Sequence, residues 1–156
     1  MDIVLINPND RKQVYQHLAT DLSGIEPPTF TLLVAQYLRQ KGLSVAVIDQ
    51  GPFNLAPDDI AKEVEYLKPT LVGVYVYGYQ PSASTQNMPA ARKICQAIKD
   101  LNPNRPIMIS GTHASALPQQ TLLEEPVDYV CDREGFLTPY ELVRWLKTVG
   151  NNRPDN

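Results

Sequence analysis

The chain has 156 residues, which is about the size of one compact domain. Hydrophobic residues make up 43% and charged residues 20% of the sequence, and this balance excludes an intrinsically disordered or fibrous protein. The formal net charge of −3 gives no basic surface of the kind that binds nucleic acid or an anionic membrane.

The N-terminus and the cysteines indicate where in the cell the chain is expected to be. An acidic residue stands at position 2, and the apolar run that follows has only four residues, which is unlike a targeting signal. No window approaches the roughly 18 apolar residues of a membrane span. Cys95 and Cys131 lie too far apart for a CxxC clip. We therefore expect a soluble, cytoplasmic chain.

Short apolar runs alternate with segments of helical periodicity along the chain. Strands are predicted over residues 3–6, 45–48, 71–77, 107–109 and 127–130, because each is an apolar run bounded by turn residues. Between them the pattern predicts helices over 30–42, from 57, over 88–101, over 119–125 and from 138. Residues 1–150 are predicted to form one domain, and 151–156 a polar tail or linker.

The predicted strands are apolar on both faces and are separated by helices. This pattern is typical of a parallel sheet covered by helices on both sides. Right-handed crossovers then give a doubly wound, flavodoxin-like α/β domain with five strands. In such a domain the ligand site lies at the carboxyl ends of the strands, so the loops that follow the strands are the candidate site.

Those loops are rich in glycine, proline and small polar residues, which allow a ligand to approach the backbone. They cover residues 7–8, 49–51, 77–79, 110–115 and 131–136. None contains the dinucleotide motif GxGxxG or the phosphate loop GxxxxGK(S/T). A phosphate-accepting receiver domain also fits poorly, because it needs an acceptor aspartate after the third strand, where this chain has Tyr77.

Motif residues occur in a fixed order along the whole chain. They are Asn7-Pro8; Pro27-Pro28 with Leu32, Ala35, Tyr37 and Leu38; Gly42 with Val47-Ile48-Asp49; Lys68-Pro69-Thr70-Leu71-Val72-Gly73; Ser110-Gly111-Thr112-His113-Ala114-Ser115; and Val127-Asp128-Tyr129-Val130 with Arg133-Glu134-Gly135-Phe136. From the second segment on, they resemble the blocks PPLGLxxLAAYLR, GxxVxVID, PDLVGxS, GGPHAS and VDxVVxGEGE. These blocks belong to the N-terminal cobalamin-binding domain of B12-dependent radical SAM enzymes, which include methyltransferases and the anaerobic magnesium-protoporphyrin ester cyclase.

The resemblance implies that this chain binds cobalamin. It implies that the iron–sulfur cluster and S-adenosylmethionine belong to a radical SAM domain, either C-terminal in the same parent chain or in a separate subunit. The parent would be a methyltransferase or an oxidative, ring-forming cyclase. The implied cofactor-binding residues are Asn7, Pro8, Asp49, Tyr75, Tyr77, Gly78, Ser110, Gly111, Thr112, His113, Ala114, Ser115, Arg133, Glu134 and Gly135.

Two features of the implied site depart from the family. Ser110-Gly111 stands where the family has Gly-Gly, and the nucleotide tail of cobalamin is expected to pass beside it. Tyr75 and Tyr77 occupy the end of the third strand, where other corrinoid domains place a serine.

The axial ligand motif DxHxxG is missing after the first strand. His17 lies further on, without the Asp two residues before it or the Gly three after it. Radical SAM members commonly lack this motif, so its absence argues against methionine-synthase-like and mutase-like domains. The resemblance therefore implies base-off binding without a histidine ligand.

Several candidate residues have an ordinary structural interpretation beside the functional one. His113 either contacts the corrin or its phosphate, or is a loop histidine bonded to backbone. Glu134 either lines the tail pocket or favours a helix N-terminus. Asp49 is more readily a turn cap than a ligand contact, and alternating tyrosines on a strand usually pack in the core.

The sequence offers no catalytic constellation of its own. It contains no Ser-His-Asp arrangement, carboxylate pair or metal-ligand spacing that stands out, and two cysteines cannot hold a radical SAM cluster, which needs three close thiolates. The rival interpretation is a flavodoxin-like ligand-binding or protein-interaction domain without a corrinoid, which binds flavin or nothing. A small stand-alone corrinoid carrier or sensor is a third.

Overall fold

A single parallel sheet organises the chain, as the strand pattern predicts. The structure is a computed structural model that describes residues 1–9, 27–78 and 81–151. Its strands are β1 (Ile3–Asn7), β2 (Val45–Asp49), β3 (Leu71–Val76), β4 (Ile107–Gly111) and β5 (Tyr129–Cys131). They are ordered β2-β1-β3-β4-β5 and all pairs are parallel. The order is that of the flavodoxin-like fold, so the predicted fold class is confirmed.

Seven helices connect the strands within the described ranges. They are α1 (Thr29–Gln40), α2 (Gln50–Phe53), α3 (Pro57–Leu67), α4 (Pro81–Leu101), α5 (Thr112–Ala116), α6 (Pro118–Glu124) and α7 (Leu137–Asn151). Of the helices described, none has the length and hydropathy that a membrane span requires. The last helix ends at Asn151, so the predicted tail beyond it lies outside the described residues.

The start of α4 that is predicted from the sequence is later than the start in the structure. The prediction began at Met88, but the helix begins at Pro81. Ser84 lies one helical turn before Met88, is fully buried, and donates from its hydroxyl to the carbonyl of Val76 at 2.6 Å. A polar residue therefore continues the buried stripe, and a pattern of apolar residues alone misses it. The helical turns α2 and α5 were likewise expected as loops.

The core has two layers, one on each face of the sheet. On one face α3 and α4 cover Val4, Ile6, Val72, Val74 and Ile109. On the other face α1 and α7 cover Ile3, Leu5, Leu71, Tyr75 and Met108. Because side chains alternate along a strand, the even and odd positions of β1 fall on opposite layers. Both faces of the sheet are thus sealed, and the strand ends remain for a ligand.

An ion pair fixes the amino end of β4, opposite the candidate site. The two carboxylate oxygens of Asp128 accept hydrogen bonds from Lys99 Nζ at 2.8 and 2.9 Å. The backbone N–H of Ile107 also donates to Asp128 Oδ2, at 2.8 Å. Lys99 reaches the carbonyls of Pro103 and Arg105 as well. This network joins α4 to the starts of β4 and β5.

We expect Asp128→Ala to lower the free energy of unfolding by about 1–2 kcal/mol, because it removes acceptors from one ammonium and one backbone N–H. Urea unfolding followed by circular dichroism measures the change. Glu63→Ala, on the exposed side of α3, is the matched control and should change stability by less than about 0.5 kcal/mol. Equal stability of the Asp128 variant and the control would contradict a clamping role.

Candidate functional site

The predicted site residues lie at or beside the carboxyl edge of the sheet, where parallel strands end together. They divide into a central group at the ends of β3, β4 and β5, a group on α5, and a pair at the ends of β1 and β2. The group on α5 consists of Thr112, His113, Ala114 and Ser115. Tyr79 and His17 lie outside the described residues. The predicted site residues in the described part of the chain therefore form three separate groups.

Three protic side chains form a buried row across β3, β4 and β5. Tyr75 is the register partner of Ser110, and Ser110 is the partner of Cys131. All three point to the layer covered by α1 and α7, and their residues are 0%, 0% and 3% exposed. We call Tyr75, Ser110 and Cys131 the hydroxyl–thiol row. Sequence reasoning placed Tyr75 and Ser110 in the site and gave Cys131 no firm role there.

The loop between β5 and α7 covers this row and supplies its acceptors. Tyr75 Oη donates to the carbonyl of Gly135 at 3.0 Å. Ser110 Oγ and Cys131 Sγ both donate to the carbonyl of Arg133, at 3.3 and 3.5 Å. The side chains of Arg133 and Glu134 are exposed. Their backbone segment, rather than their charges, therefore meets the core of the site.

Gly135 is the residue that lets the loop come this close. Its φ is +68°, a conformation that L side chains rarely adopt. A Cβ added there would lie 3.1 Å from Ser110 Oγ and 3.2 Å from Cys131 Sγ. Glycine is thus required both by the backbone conformation and by the row beneath it.

Aromatic rings close the edge above Tyr75. The rings of Phe30 and Tyr77 stack with centroids 4.1 Å apart, and Phe30 meets Phe136 edge-on at 5.3 Å. Tyr37 packs edge-on against Phe136 at 5.8 Å. Phe30 begins α1 and Phe136 precedes α7, so the rings join the first turns of both helices over the end of β3. Phe136 belongs to the candidate loop 131–136 and Phe30 to the predicted helix, but neither is among the cofactor-binding residues named from the sequence.

Burial keeps the two tyrosines of this group protonated. It raises the pKa of Tyr75 well above its ordinary value of 10.0. The pKa of Tyr77 is also raised by burial, although its hydrogen bond with Ser110 opposes the change. The hydroxyl oxygens of Tyr77 and Ser110 are 3.4 Å apart. Both phenols therefore serve as neutral hydrogen-bonding groups at any pH near neutrality.

Gly111 has a structural role that the sequence did not indicate. A Cβ at this position would lie 2.2 Å from the carbonyl oxygen of Val76 and 3.2 Å from Ser84 Oγ, and φ is +154°. The space beside Gly111 is therefore filled by β3 and α4. Ser110 precedes Gly111, and its side chain points to the opposite face of the sheet, where it belongs to the hydroxyl–thiol row.

The α5 group is tied to the start of α4. The backbone N–H of His113 donates to Ser84 Oγ at 3.1 Å, and His113 Nδ1 lies 3.1 Å from Thr85 Oγ1. His113 therefore pairs with a side-chain hydroxyl, not with the backbone partner considered from the sequence. Ala114 is fully buried and packs in the layer under α4, whereas Thr112 is exposed.

The pair at the ends of β1 and β2 is Asn7 and Asp49. Asn7 Nδ2 donates to Asp49 Oδ1 at 2.9 Å across the strand pair. Asp49 stands at the N-cap of α2 but makes no side-chain capping bond, so the expectation that it caps a turn is wrong. The backbone N–H of Asn9 donates to Gln50 Oε1 at 2.9 Å, which holds the chain after Pro8 against α2.

The described residues form one open groove but no cluster of metal ligands. Within the described ranges, no group of three or more His, Cys, Asp or Glu residues could hold a metal ion. An open groove of about 480 Å³ lies beside β5, lined in part by Met108, Leu142 and Trp145. None of the predicted site residues lines this groove.

Two curated proteins are similar in sequence to almost the whole chain. The chain is 27% identical over 145 residues to the anaerobic magnesium-protoporphyrin IX monomethyl ester cyclase of Rubrivivax gelatinosus, which covers 92% of this chain and 24% of the relative. It is 30% identical over 144 residues to an uncharacterized methyltransferase of Pyrococcus horikoshii, covering 92% of this chain and 29% of the relative. The chain thus spans about a quarter of the length of these curated relatives.

Solved structures share the fold. The radical S-adenosylmethionine methyltransferase TsrM from Kitasatospora setae, with cobalamin and an iron–sulfur cluster bound, matches with a TM-score of 0.71 at 19% identity, over 96% of this chain and 25% of that chain. The cobalamin-dependent S-adenosylmethionine radical enzyme OxsB matches with a TM-score of 0.57 at 19% identity, over 94% of this chain and 19% of that chain. A sequence profile described as B12 binding domain matches residues 16–143, and the chain therefore belongs to the B12-binding domain family.

Proposed function

We propose that this chain binds cobalamin at the carboxyl edge of its sheet and holds the cofactor for a radical SAM enzyme. The observation that carries the proposal is the B12-binding match over residues 16–143. That range includes the ends of β3, β4 and β5 and the loop that covers them. The sequence resemblance and the site geometry therefore concern the same residues.

The chemistry of the edge fits the nucleotide tail of cobalamin. The tail consists of a flat aromatic base, a ribose and a phosphate, which need an apolar slot and hydrogen-bond donors. Phe30, Tyr77 and Phe136 supply aromatic surface against which a flat base can stack. Tyr75 and Ser110 supply donors beneath them. The tail would lie between α1 and α7, beside Ser110.

When bound, cobalamin supplies the cobalt centre at which the chemistry takes place. The described residues would bind and orient it. The row would donate to oxygens of the tail, the aromatic rings would exclude water from the base, and Asn7 and His113 would border the corrin ring. In this proposal the residues bind and orient the cofactor and do not transfer protons.

The parent reaction is proposed from the relatives. Methyl transfer and oxidative ring formation are both represented among proteins similar to this chain. Cys95 packs in the layer under α4 and Cys131 in the layer under α1 and α7, so the two thiols lie on opposite faces of the sheet. An iron–sulfur cluster and S-adenosylmethionine would belong to a radical SAM domain, C-terminal in the same chain or in a separate subunit.

The direct test is retention of the cofactor. The purified chain is mixed with hydroxocobalamin, free ligand is removed by gel filtration, and the visible spectrum is recorded. We expect corrin absorbance to stay with the protein at micromolar concentrations. Loss of all corrin absorbance at 100 µM protein, on the order of the weakest affinity useful to a resident cofactor, would favour a flavodoxin-like domain without a corrinoid.

The place of the tail is tested at Ser110. We expect Ser110→Val to weaken cobalamin binding at least about tenfold, because the added methyl groups fill the slot beneath Gly135. Ser110→Ala keeps the side chain small but removes its hydroxyl donor, so it should weaken binding less than Ser110→Val does. Gly111 is unsuitable for this purpose, because any side chain there strikes the carbonyl of Val76. Thermal unfolding checks that both Ser110 variants are folded. Equal affinities of the two variants for cobalamin would show that the tail does not lie beside Ser110.

The axial ligand is proposed to be neither a histidine nor the base of the tail. The described residues nearest the end of β1 are Asn7 and Asp49, which bond to each other. We expect the EPR spectrum of bound cob(II)alamin to lack nitrogen superhyperfine splitting, whereas free cob(II)alamin at neutral pH is the control that has it. Splitting that disappears in His113→Ala or His17→Ala would instead identify a histidine ligand.

A further inference from the structure

The segment 133–135 stands between solvent and the hydroxyl–thiol row. Tyr75 and Ser110 are fully buried, Cys131 is 3% exposed, and Gly135 lies directly over all three. A ligand group that reaches Ser110 from the carboxyl edge has to displace this segment. Access to the row is therefore a property of the loop and of the bonds that hold it down.

Those bonds differ in strength. The bond from Tyr75 Oη to the carbonyl of Gly135 is 3.0 Å long, within the usual range for an O–H donor. The bonds from Ser110 Oγ and Cys131 Sγ to the carbonyl of Arg133 are 3.3 and 3.5 Å long. A thiol is a weak donor and a long hydroxyl bond is a weak one. The Tyr75 bond is thus the strongest polar contact holding the segment to the row.

The segment has little else to keep it in place. Arg133 and Glu134 are exposed, so their side chains contribute little packing against the core. Gly135 has no side chain and has φ +68°, a conformation in which glycine can rotate freely when its carbonyl is released. Phe136 is the residue of this stretch that packs on aromatic neighbours.

We infer that the Tyr75–Gly135 hydrogen bond is a latch that controls entry of the cofactor tail to the hydroxyl–thiol row. The inference rests on the proposed function, because it needs a ligand that reaches Ser110. Opening the latch frees the donors of Tyr75 and Ser110. Phosphate or ribose oxygens of the tail can then take the place of the two loop carbonyls, so that the donors are satisfied in both arrangements. Tyr75 would act by positioning the loop.

The latch has a quantitative consequence. If only the open form admits the tail, the apparent affinity and association rate scale with the fraction of chains that are open. Removing one neutral hydrogen bond raises that fraction about fivefold while it is small. Tyr75→Phe removes this bond and keeps the aromatic ring. Because it also removes one donor to the tail, opening is measured by cysteine labelling and by the association rate rather than by the affinity.

Opening can be measured on the chain without any cofactor, because Cys131 lies under the segment. We expect iodoacetamide to modify Cys131 about fivefold faster in Tyr75→Phe than in the original chain, with peptide mass spectrometry identifying the site. Cys95 is an internal control for global unfolding, since it is buried on the opposite face and burial raises its pKa to about 12. Its modification should be unchanged.

Tyr37→Phe is the matched control variant. The Tyr37 ring packs on Phe136, and its hydroxyl has no hydrogen-bond partner in the described part of the chain. We expect this variant to behave like the original chain. Stopped-flow mixing with hydroxocobalamin then completes the test, and Tyr75→Phe should associate faster by the same factor that its Cys131 labelling shows.

The labelling and association measurements distinguish failure of the latch from failure of the proposed function. Unchanged labelling of Cys131, or a parallel rise at Cys95, would overturn the latch. Faster labelling with unchanged or slower association would also overturn it, because Tyr75 would then not limit entry. Faster labelling in a chain that binds no cobalamin at all would refute the proposed function, and with it any role of the latch in cofactor entry.

Discussion

Buried donors need acceptors, and this requirement shapes the carboxyl edge of the sheet. Tyr75 and Ser110 carry hydroxyl groups into a layer that α1 and α7 seal from water. Leaving one buried hydroxyl without a partner costs about 1–3 kcal/mol. Backbone carbonyls from the segment after β5 accept from both hydroxyls, and Tyr77 also lies within hydrogen-bond distance of Ser110. The path of that segment, the glycine at 135 and the closed state of the edge all follow from it.

The fold was largely predictable because burial on both faces of a sheet leaves a simple signature. The apolar runs that form β1, β3 and β4 contain no polar residue before their carboxyl ends, and alternation with helices then fixes a parallel arrangement. The start of α4 was not predictable in the same way. Ser84 takes a core position there because a hydroxyl can bond to Val76, and an apolar pattern carries no information about such a bond.

The site was predictable as a set of loops but not as a set of contacts. Strand order and register bring Tyr75, Ser110 and Cys131 side by side, although they are far apart in sequence. The sequence indicates which residues end the strands, and it does not indicate which carbonyl will lie above them. The pairing of His113 with Thr85 was missed for the same reason, since the first turns of α4 were not predicted as helix.

Gly111 and Gly135, at the carboxyl edge of the sheet, are both glycines because another part of the chain lies too close for a side chain. Gly111 is required where β4 leaves the sheet, because the carbonyl of Val76 occupies the space of a Cβ. Gly135 is required where the loop presses on the row. A small residue near a ligand site was expected to admit the ligand, yet at both positions the immediate neighbour is another part of the chain. The two glycines therefore maintain the path of the backbone at the edge, and a ligand would bind to the surface that this path creates.

The polar groups at the carboxyl edge are already engaged in hydrogen bonds within the chain. Asp49 is committed to Asn7, and His113 lies against Thr85. Burial keeps the phenols of Tyr75 and Tyr77 protonated. In the proposed site, neutral donors and stacked rings would meet the cofactor tail, and tail oxygens would replace the loop carbonyls as acceptors. One set of hydrogen bonds would then be exchanged for another at little net cost in free energy.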